Sequence, residues 1–115
     1  MKKLRTVIVD DEWLIRLELR NMLAEYPQIE MIGEASTFIQ ACELIHQEKP
    51  DLIFLDIELP GGSGLDILDD LDYNPSVIIL TAYDKYLIKI LHPCVTEFLL
   101  KPINQKKIKT ILQTL

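Results

Sequence analysis

Five short apolar runs alternate along this chain with longer segments in which apolar residues recur at helical spacing. The length and composition of the runs are those of strands, and they lie at residues 4–9, 29–35, 52–55, 77–80 and 96–100. The run at 52–55 has no polar alternation, which is typical of a strand covered on both faces. The other segments predict helices at 12–25, 37–48, 63–71 and 84–92, and a last helix from about residue 104 whose apolar side holds Ile108, Ile111, Leu112 and Leu115.

Capping and breaking residues support these boundaries. Thr37 and Gln40 fit a capping box at the start of the second helix, and Ser63 fits the N-cap of the third. Pro27 and Pro50 follow the first two helices, where a proline stops further helical hydrogen bonding. The glycines between residues 61 and 64 predict a turn, because they lack the GxxxxGK[ST] pattern of a phosphate loop and follow the third strand instead of the first.

Strands that alternate with helices predict an α/β fold, an open parallel sheet with helices on both faces. Such sheets form their sites at the carboxyl ends of the strands. Polar residues follow four of the apolar runs, and they are Asp10, Asp11, Asp56, Thr81 and Lys101. The fold would therefore gather three carboxylates, a hydroxyl and an ammonium group at one edge of the sheet.

Composition limits the classes of protein to consider. The 115 residues suffice for one domain, and 49% hydrophobic residues suffice for a core. A formal net charge of −6 opposes direct binding to nucleic acid. No apolar run has the length of a membrane span, and Asp10 and Asp11 interrupt any signal peptide, so we expect a cytoplasmic protein with no membrane partner. We expect Cys42 and Cys94 to be reduced thiols.

The charges of the predicted cluster suit a metal ion and a phosphoryl group. Carboxylates crowded at one edge repel, and a divalent cation relieves this repulsion. A site of few oxygen ligands suits Mg²⁺, which completes its coordination with water and phosphate oxygens. Asp56 follows the third strand, which we expect in the middle of the sheet, and it is the natural nucleophile for an aspartyl phosphate. Lys101 and Thr81 would neutralise or bind the remaining phosphoryl oxygens.

Four stretches carry a family resemblance over essentially the whole chain. They are VDDE, PDLIFLDIELPGGSGLDIL, VIILTAYDKY and FLLKP. Together they resemble the receiver domains of bacterial two-component response regulators. TAYDKY and FLLKPI are most similar to the subgroup with a LytTR-type (LytR/AgrA-like) output domain. The resemblance implies a flavodoxin-like, doubly wound, five-stranded parallel sheet of order 2-1-3-4-5 with five helices.

The resemblance also implies a role for each acidic residue of the site. Asp56 would be the phosphoacceptor and would also contact the metal, Asp11 would be a direct Mg²⁺ ligand, and Asp10 would act mainly through bound water. The backbone carbonyl of Ile57 or Glu58 would complete the protein's share of the metal site. Alignment with the family favours Glu58.

Further roles fall on residues at the ends of the last two strands. Thr81 and Lys101 would be the switch hydroxyl and the phosphate-pairing lysine. Phe98 stands where the family often has tyrosine, so it would rotate inward on activation without a hydroxyl to bond at the surface. The Lys101–Pro102 peptide bond would be cis.

The resemblance implies a regulatory domain, not an enzyme, phosphorylated by a sensor histidine kinase. Response regulators often dimerise through the fourth helix, fifth strand and fifth helix, which would place Tyr86, Ile90 and Lys106 at the interface of a homodimer formed on activation. We expect residues 1–115 to be one receiver domain, the N-terminal part of a longer transcription regulator whose C-terminal domain binds DNA. A stand-alone receiver is the alternative.

Three other functions stay open at this point. A degenerate receiver would dock a partner without being phosphorylated. A haloacid-dehalogenase-like phosphatase also uses a strand-end aspartate, but it needs a DxD motif where this chain has Asp56-Ile57-Glu58, and a cap for which the chain has no insertion. A flavodoxin-like cofactor binder needs a phosphate loop after the first strand, where the acidic residues 10–12 would repel phosphate.

Overall fold

Seven strands and four helices make up the described part of the chain, which in this computed structural model is residues 3–83 and 92–115. In chain order they are β1 Leu4–Val9, α1 Trp13–Leu23, β2 Ile29–Ala35, α2 Phe38–Glu48, β3 Leu52–Asp56, β4 Glu58–Leu59, β5 Gly62–Ser63, α3 Gly64–Asp69, β6 Ser76–Thr81, β7 Val95–Leu100 and α4 Gln105–Thr114. The predicted helix at 84–92, with Tyr86 and Ile90, lies almost entirely outside the described residues.

Five of the strands form one sheet in the order β2-β1-β3-β6-β7, and every neighbouring pair is parallel. When only these five long strands are counted, this is the predicted order 2-1-3-4-5. The short strands β4 and β5 form a separate antiparallel pair, in which Glu58 lies opposite Ser63. The predicted flavodoxin-like fold class is confirmed.

The sheet has a hydrophobic core on each face, because successive side chains of a strand point to opposite sides. On one side, Phe54 of β3 belongs to a buried cluster with Leu19 of α1 and Ile108 of α4. On the other side, Ile53 is clustered with Ile45 of α2 and with residues of α3. All five residues of β3 are buried, which confirms the prediction of a doubly covered strand.

Polar side chains cap three of the helices. Thr37 Oγ1 accepts a hydrogen bond from the Gln40 backbone N–H at 3.2 Å, as the capping box predicts. In a capping box the Gln40 side chain would accept from the backbone N–H of Thr37. Here Gln40 Oε1 accepts from the N–H of Ser36 instead. Ser63 accepts from Leu65 at the start of α3, and Asn104 accepts from the second and third residues of α4.

Three predicted features of the helices are wrong. The first helix ends at Leu23 and the third at Asp69, each two residues before its predicted end. Leu115 was expected on the apolar side of the last helix, but it follows the end of α4 and is 43% exposed. Of the helices in residues 3–83 and 92–115, none has the length and apolar character needed to cross a bilayer.

Candidate functional site

The polar residues that follow the strands meet at the carboxyl edge of the sheet. Asp10 comes directly after β1, Asp56 and Thr81 are the last residues of β3 and β6, and Lys101 comes directly after β7. Each of Asp10, Asp11 and Asp56 offers a carboxylate oxygen, and these oxygens lie within 4.8 Å of one another. The predicted cluster of three carboxylates therefore forms, since parallel strands end at a common edge.

Lys101 lies at the centre of this cluster. Its Nζ is 2.7 Å from Asp10 Oδ2 and 3.4 Å from Asp56 Oδ2. A third carboxylate, that of Glu12, is 3.5 Å away. The backbone N–H of Lys101 donates to the carbonyl of Thr81 at 2.8 Å, and the Lys101–Pro102 peptide bond is cis, as the resemblance implied.

Asp10 is completely buried at the base of the site. Its Oδ1 accepts a hydrogen bond from the Glu12 backbone N–H at 2.9 Å. Its Oδ2 forms an ion pair with the Lys101 ammonium at 2.7 Å. Burial raises the pKa of Asp10, and the positive charge of Lys101 offsets only part of that effect.

Asp56 is also buried, and its pKa is raised to about 6. Burial is the largest cause, the negative charge of Asp10 adds to it, and Lys101 opposes both. Burial lowers the pKa of Lys101, but the neighbouring carboxylates outweigh this and its pKa is raised. The carboxylates therefore exceed the positive charge available to them, and a divalent cation would relieve the excess.

A cleft of about 180 Å³ opens over Asp56. It is lined by Asp11, Glu12, Asp56, Ile57, Glu58, Thr81, Ala82, Tyr83 and Lys101. The donor set of the cleft consists of oxygen ligands, and the carboxylates of Asp10, Asp11 and Asp56 crowd within 4.8 Å of one another. Both features fit a hard cation such as Mg²⁺.

The chain turns sharply after Asp56. The backbone N–H of Gly64 donates to the carbonyl of Ile57 at 2.6 Å, and the N–H of Glu58 donates to Asp56 Oδ1 at 3.3 Å. The Ile57 carbonyl is therefore engaged within this turn, and Glu58 stays the metal carbonyl that the family alignment favours.

Two predicted switch residues occupy different positions relative to the cleft. The buried Thr81 hydroxyl accepts a hydrogen bond from the Tyr83 backbone N–H at 3.0 Å, so it is engaged with its own loop. Phe98 lies beside Ile79 across the β6–β7 pair and packs, half-buried, against a core cluster. Of the predicted interface residues, Lys106 is exposed and borders an open groove between β7 and α4, whereas Tyr86 and Ile90 are not described.

Sequence reasoning missed Arg16. Its Nη1 donates to the backbone carbonyl of Asp10 at 2.7 Å, and its Nε donates to Glu34 at 3.1 Å. A basic residue in the second turn of a helix is common on protein surfaces, so no local pattern marks this contact. It depends on how α1 packs beside the end of β2.

Comparisons with known proteins agree with the fold. The family model described as the response regulator receiver domain matches residues 6–113. The chain is 40% identical over 114 residues to an uncharacterised response regulatory protein of Vibrio cholerae, covering 97% of this chain and 48% of the relative. It is 39% identical to the transcriptional regulatory protein BtsR of Escherichia coli K12, covering 97% of this chain and 48% of that protein.

A further relative and two solved structures extend the likeness. The sensory transduction protein LytT of Enterococcus faecalis is 35% identical, with 96% of this chain and 47% of that protein covered. The receiver domain of PhyR from Erythrobacter litoralis superposes with a TM-score of 0.84 at 31% identity, covering 99% of this chain and 90% of that one. The response regulatory domain of mrkE from Klebsiella pneumoniae gives a TM-score of 0.86 at 25% identity, covering 96% and 93%.

The chain spans about half the length of the curated relatives it matches. Those relatives include BtsR and LytT, which is consistent with the LytTR-type subgroup that the sequence resembles. With 108 of its positions inside the span 6–113 of the family model, this chain belongs to the family of response regulator receiver domains.

Proposed function

We propose that this receiver domain is a Mg²⁺-dependent phosphorylation switch whose phosphoacceptor is Asp56. The observation that carries the proposal is the arrangement of three carboxylates within 4.8 Å of one another, with Lys101 Nζ 3.4 Å from Asp56. An ion pair that only stabilised the fold would need one carboxylate for one ammonium. Here three carboxylates surround one ammonium, and the excess negative charge can bind a cation and, through it, a phosphoryl group.

The proposed reaction transfers a phosphoryl group from a phosphohistidine of a sensor histidine kinase. An Asp56 carboxylate oxygen forms a bond to phosphorus, the P–N bond to the histidine ring breaks, and the ring nitrogen takes the electron pair and then a proton. Asp11 and the Glu58 carbonyl would hold the metal together with Asp56, and Asp10 would act mainly through metal-bound water. When bound, Mg²⁺ supplies charge neutralisation for the phosphoryl oxygens.

Lys101 and Thr81 act on the other phosphoryl oxygens. Lys101 pairs with one oxygen, exchanging part of its contact with Asp10 for contact with the phosphoryl group. The Thr81 hydroxyl, which donates to the Tyr83 carbonyl at 3.4 Å, turns to donate to another phosphoryl oxygen instead. Because Thr81 ends β6, next to β7, this movement favours an inward position of Phe98, a shift between two populations of the domain.

The regulated output lies on the surface of β7 and α4. We propose that the activated domain forms a homodimer there, with Lys106 at its border, and that an attached C-terminal DNA-binding domain carries the output. The length of the relatives supports the second part, since BtsR is a transcriptional regulatory protein of which this chain covers 48%. In this scheme the domain assists its own phosphorylation but is regulatory, working in the cytoplasm.

Intact-protein mass after incubation with a small acyl phosphate tests the proposal. Wild type with Mg²⁺ should gain one phosphoryl group, about 80 Da, and neither wild type in EDTA nor Asp56→Asn should gain it. Asp56→Asn is nearly isosteric, so loss of the adduct in a folded variant assigns the acceptor. A folded wild type that gains no adduct from several donors would overturn the proposal and favour a docking domain that works without phosphorylation.

A further inference from the structure

Arg16 reaches from α1 to the peptide bond that joins the first two acidic residues of the site. Its Nη1 donates to the carbonyl oxygen of Asp10 at 2.7 Å, and this carbonyl belongs to the Asp10–Asp11 peptide unit. Its Nε donates to Glu34 Oε1 at 3.1 Å, on the neighbouring strand β2. One guanidinium group therefore ties the β1–α1 loop to β2 through two of its donors.

The direction in which the Asp11 carboxylate points is set by the backbone on either side of it. The residue is exposed, and in the part of the chain that the structure describes no hydrogen bond or ion pair restrains its carboxylate. The orientation of its Cα–Cβ bond is set by the two peptide units that flank it. The unit before Asp11 is held through the Asp10 carbonyl by Arg16, and the unit after it is held through the Glu12 N–H, which donates to Asp10 Oδ1 at 2.9 Å.

Arg16 is itself held in place. Its side chain is largely buried, with 20% exposed, and its partner Glu34 is 24% exposed. Glu34 also binds Arg20, whose Nη1 lies 2.5 Å from Glu34 Oε2. Arg20 is the more exposed of the two at 47%, and its guanidinium pairs with Glu34. The two arginines thus share an acidic partner, while the contact to Asp10 is made by Arg16.

We propose that Arg16 is a positioning residue for Mg²⁺ binding, which acts by fixing the peptide unit that aims the Asp11 carboxylate into the site. This inference rests on the proposed function of the carboxylate cluster. Groups that orient metal ligands from behind often change metal affinity by ten- to a hundredfold when they are removed. Arg16 would act in this way through the backbone of the ligand.

The competing explanation is that Arg16 merely docks α1 against the sheet. Removing Arg16 would then lower stability and leave the affinity for Mg²⁺ unchanged. The matched control is Arg20→Met, which removes an equal charge and an ion pair to the same glutamate but leaves the Asp10 carbonyl untouched. Arg16→Met removes the charge and both contacts, and Arg16→Lys keeps the charge but cannot reach Asp10 and Glu34 with two separate donors.

Calorimetric titration of the metal-free proteins with Mg²⁺ measures the Kd directly, without phosphorylation. We expect Arg16→Met and Arg16→Lys to raise the Kd about tenfold and Arg20→Met to leave it within about twofold of wild type. Thermal unfolding in EDTA gives the stability of each variant separately. If Arg16→Met does not fold, Arg16→Lys carries the test, since it keeps the stem and the charge.

The outcomes separate this inference from the proposed function. Wild type that binds no Mg²⁺ and gains no phosphoryl group would overturn both. Wild type that binds Mg²⁺ and is phosphorylated, together with Arg16→Lys that binds Mg²⁺ as tightly as wild type, would overturn the positioning role of Arg16 alone. An equal loss of affinity in Arg20→Met would do the same, because it would assign the effect to charge.

Discussion

A side chain at Gly64 would collide with the backbone carbonyl oxygen of Asp56. The backbone of α3 therefore begins in direct contact with the end of β3, at the residue that we propose as the phosphoacceptor. The hydrogen bond from the Gly64 N–H to Ile57 at 2.6 Å closes the same turn. The glycine is required here for close approach of two backbones.

Replacement of Gly64 by alanine should lower the free energy of unfolding by about 1–3 kcal/mol, because the new Cβ meets backbone that cannot move independently. Gly33→Ala is the matched control. The nearest atoms to its Cβ would belong to the Leu44 side chain, which can rotate away. Urea denaturation of both variants measures the difference. Equal losses in the two variants would show that the turn after Asp56 tolerates a side chain.

The stability of the metal-free domain should fall as the pH rises through 6, because of Asp56. Its pKa is raised in the folded protein to about 6, from an ordinary value of 3.8, so the folded state binds the proton more tightly than the unfolded state. The resulting penalty is small below pH 4 and complete above pH 6. Asp56→Asn removes this penalty. The free energy of unfolding of the variant, relative to that of wild type, should therefore be about 2 kcal/mol higher at pH 8 than at pH 4.

Urea denaturation in EDTA at the two pH values provides the measurement. Each variant is compared with wild type at the same pH, so titration of distant carboxylates largely cancels. Asp10, whose pKa is also raised by burial, is present in both proteins, so its own titration largely cancels in the comparison. A stability difference between Asp56→Asn and wild type that does not change with pH would contradict the raised pKa.

Removal of the Lys101 ammonium should lower the free energy of unfolding and also abolish phosphorylation. Lys101→Met leaves Asp10 and Asp56 buried without their common cation, and breaking a buried ion pair costs about 3–5 kcal/mol. We expect a loss of that order at pH 8 in EDTA, together with loss of the phosphoryl adduct. Lys107→Met is the control, since Lys107 pairs at the surface with Glu97 at 4.0 Å and should contribute at most about 1 kcal/mol.

A second substitution tests the reason for that loss. Asp10→Asn in the Lys101→Met background removes one of the two unpaired buried charges and should recover part of the stability. If Asp10→Asn lowers stability in the Lys101→Met background by as much as it does in wild type, the two residues act independently. The same denaturation experiments provide all four values of this cycle.

The N-cap of α4 should contribute about 1 kcal/mol to stability. Asn104 Oδ1 accepts hydrogen bonds from the backbone N–H groups of Lys106 at 2.8 Å and Lys107 at 3.3 Å. Asn104→Ala removes both, whereas Asn104→Asp keeps an acceptor in the same place. Chemical denaturation should therefore rank alanine clearly below aspartate and asparagine. Equal stability of Asn104→Ala and wild type would show that water replaces the cap without cost.

The pattern of residues was enough to predict the long strands and the polar residues at their carboxyl ends, and the family resemblance supplied the strand order. The unbroken apolar run before Asp56 is typical of a strand covered on both faces, and parallel strands end at a common edge. Asp10, Thr81 and Lys101 could therefore be assigned to one site before any distance was known.

The tertiary structure decided what depends on the packing of distant segments. The raised pKa of Asp56 results from burial and from Asp10, 46 residues earlier in the chain. The contact of Arg16 with the Asp10 carbonyl depends on the distance between α1 and β2, which no pattern of residue types encodes. Hydrophobic periodicity fixes which face of an element is buried, but the direction and charge state of a polar side chain are set by neighbours that only the folded chain brings together.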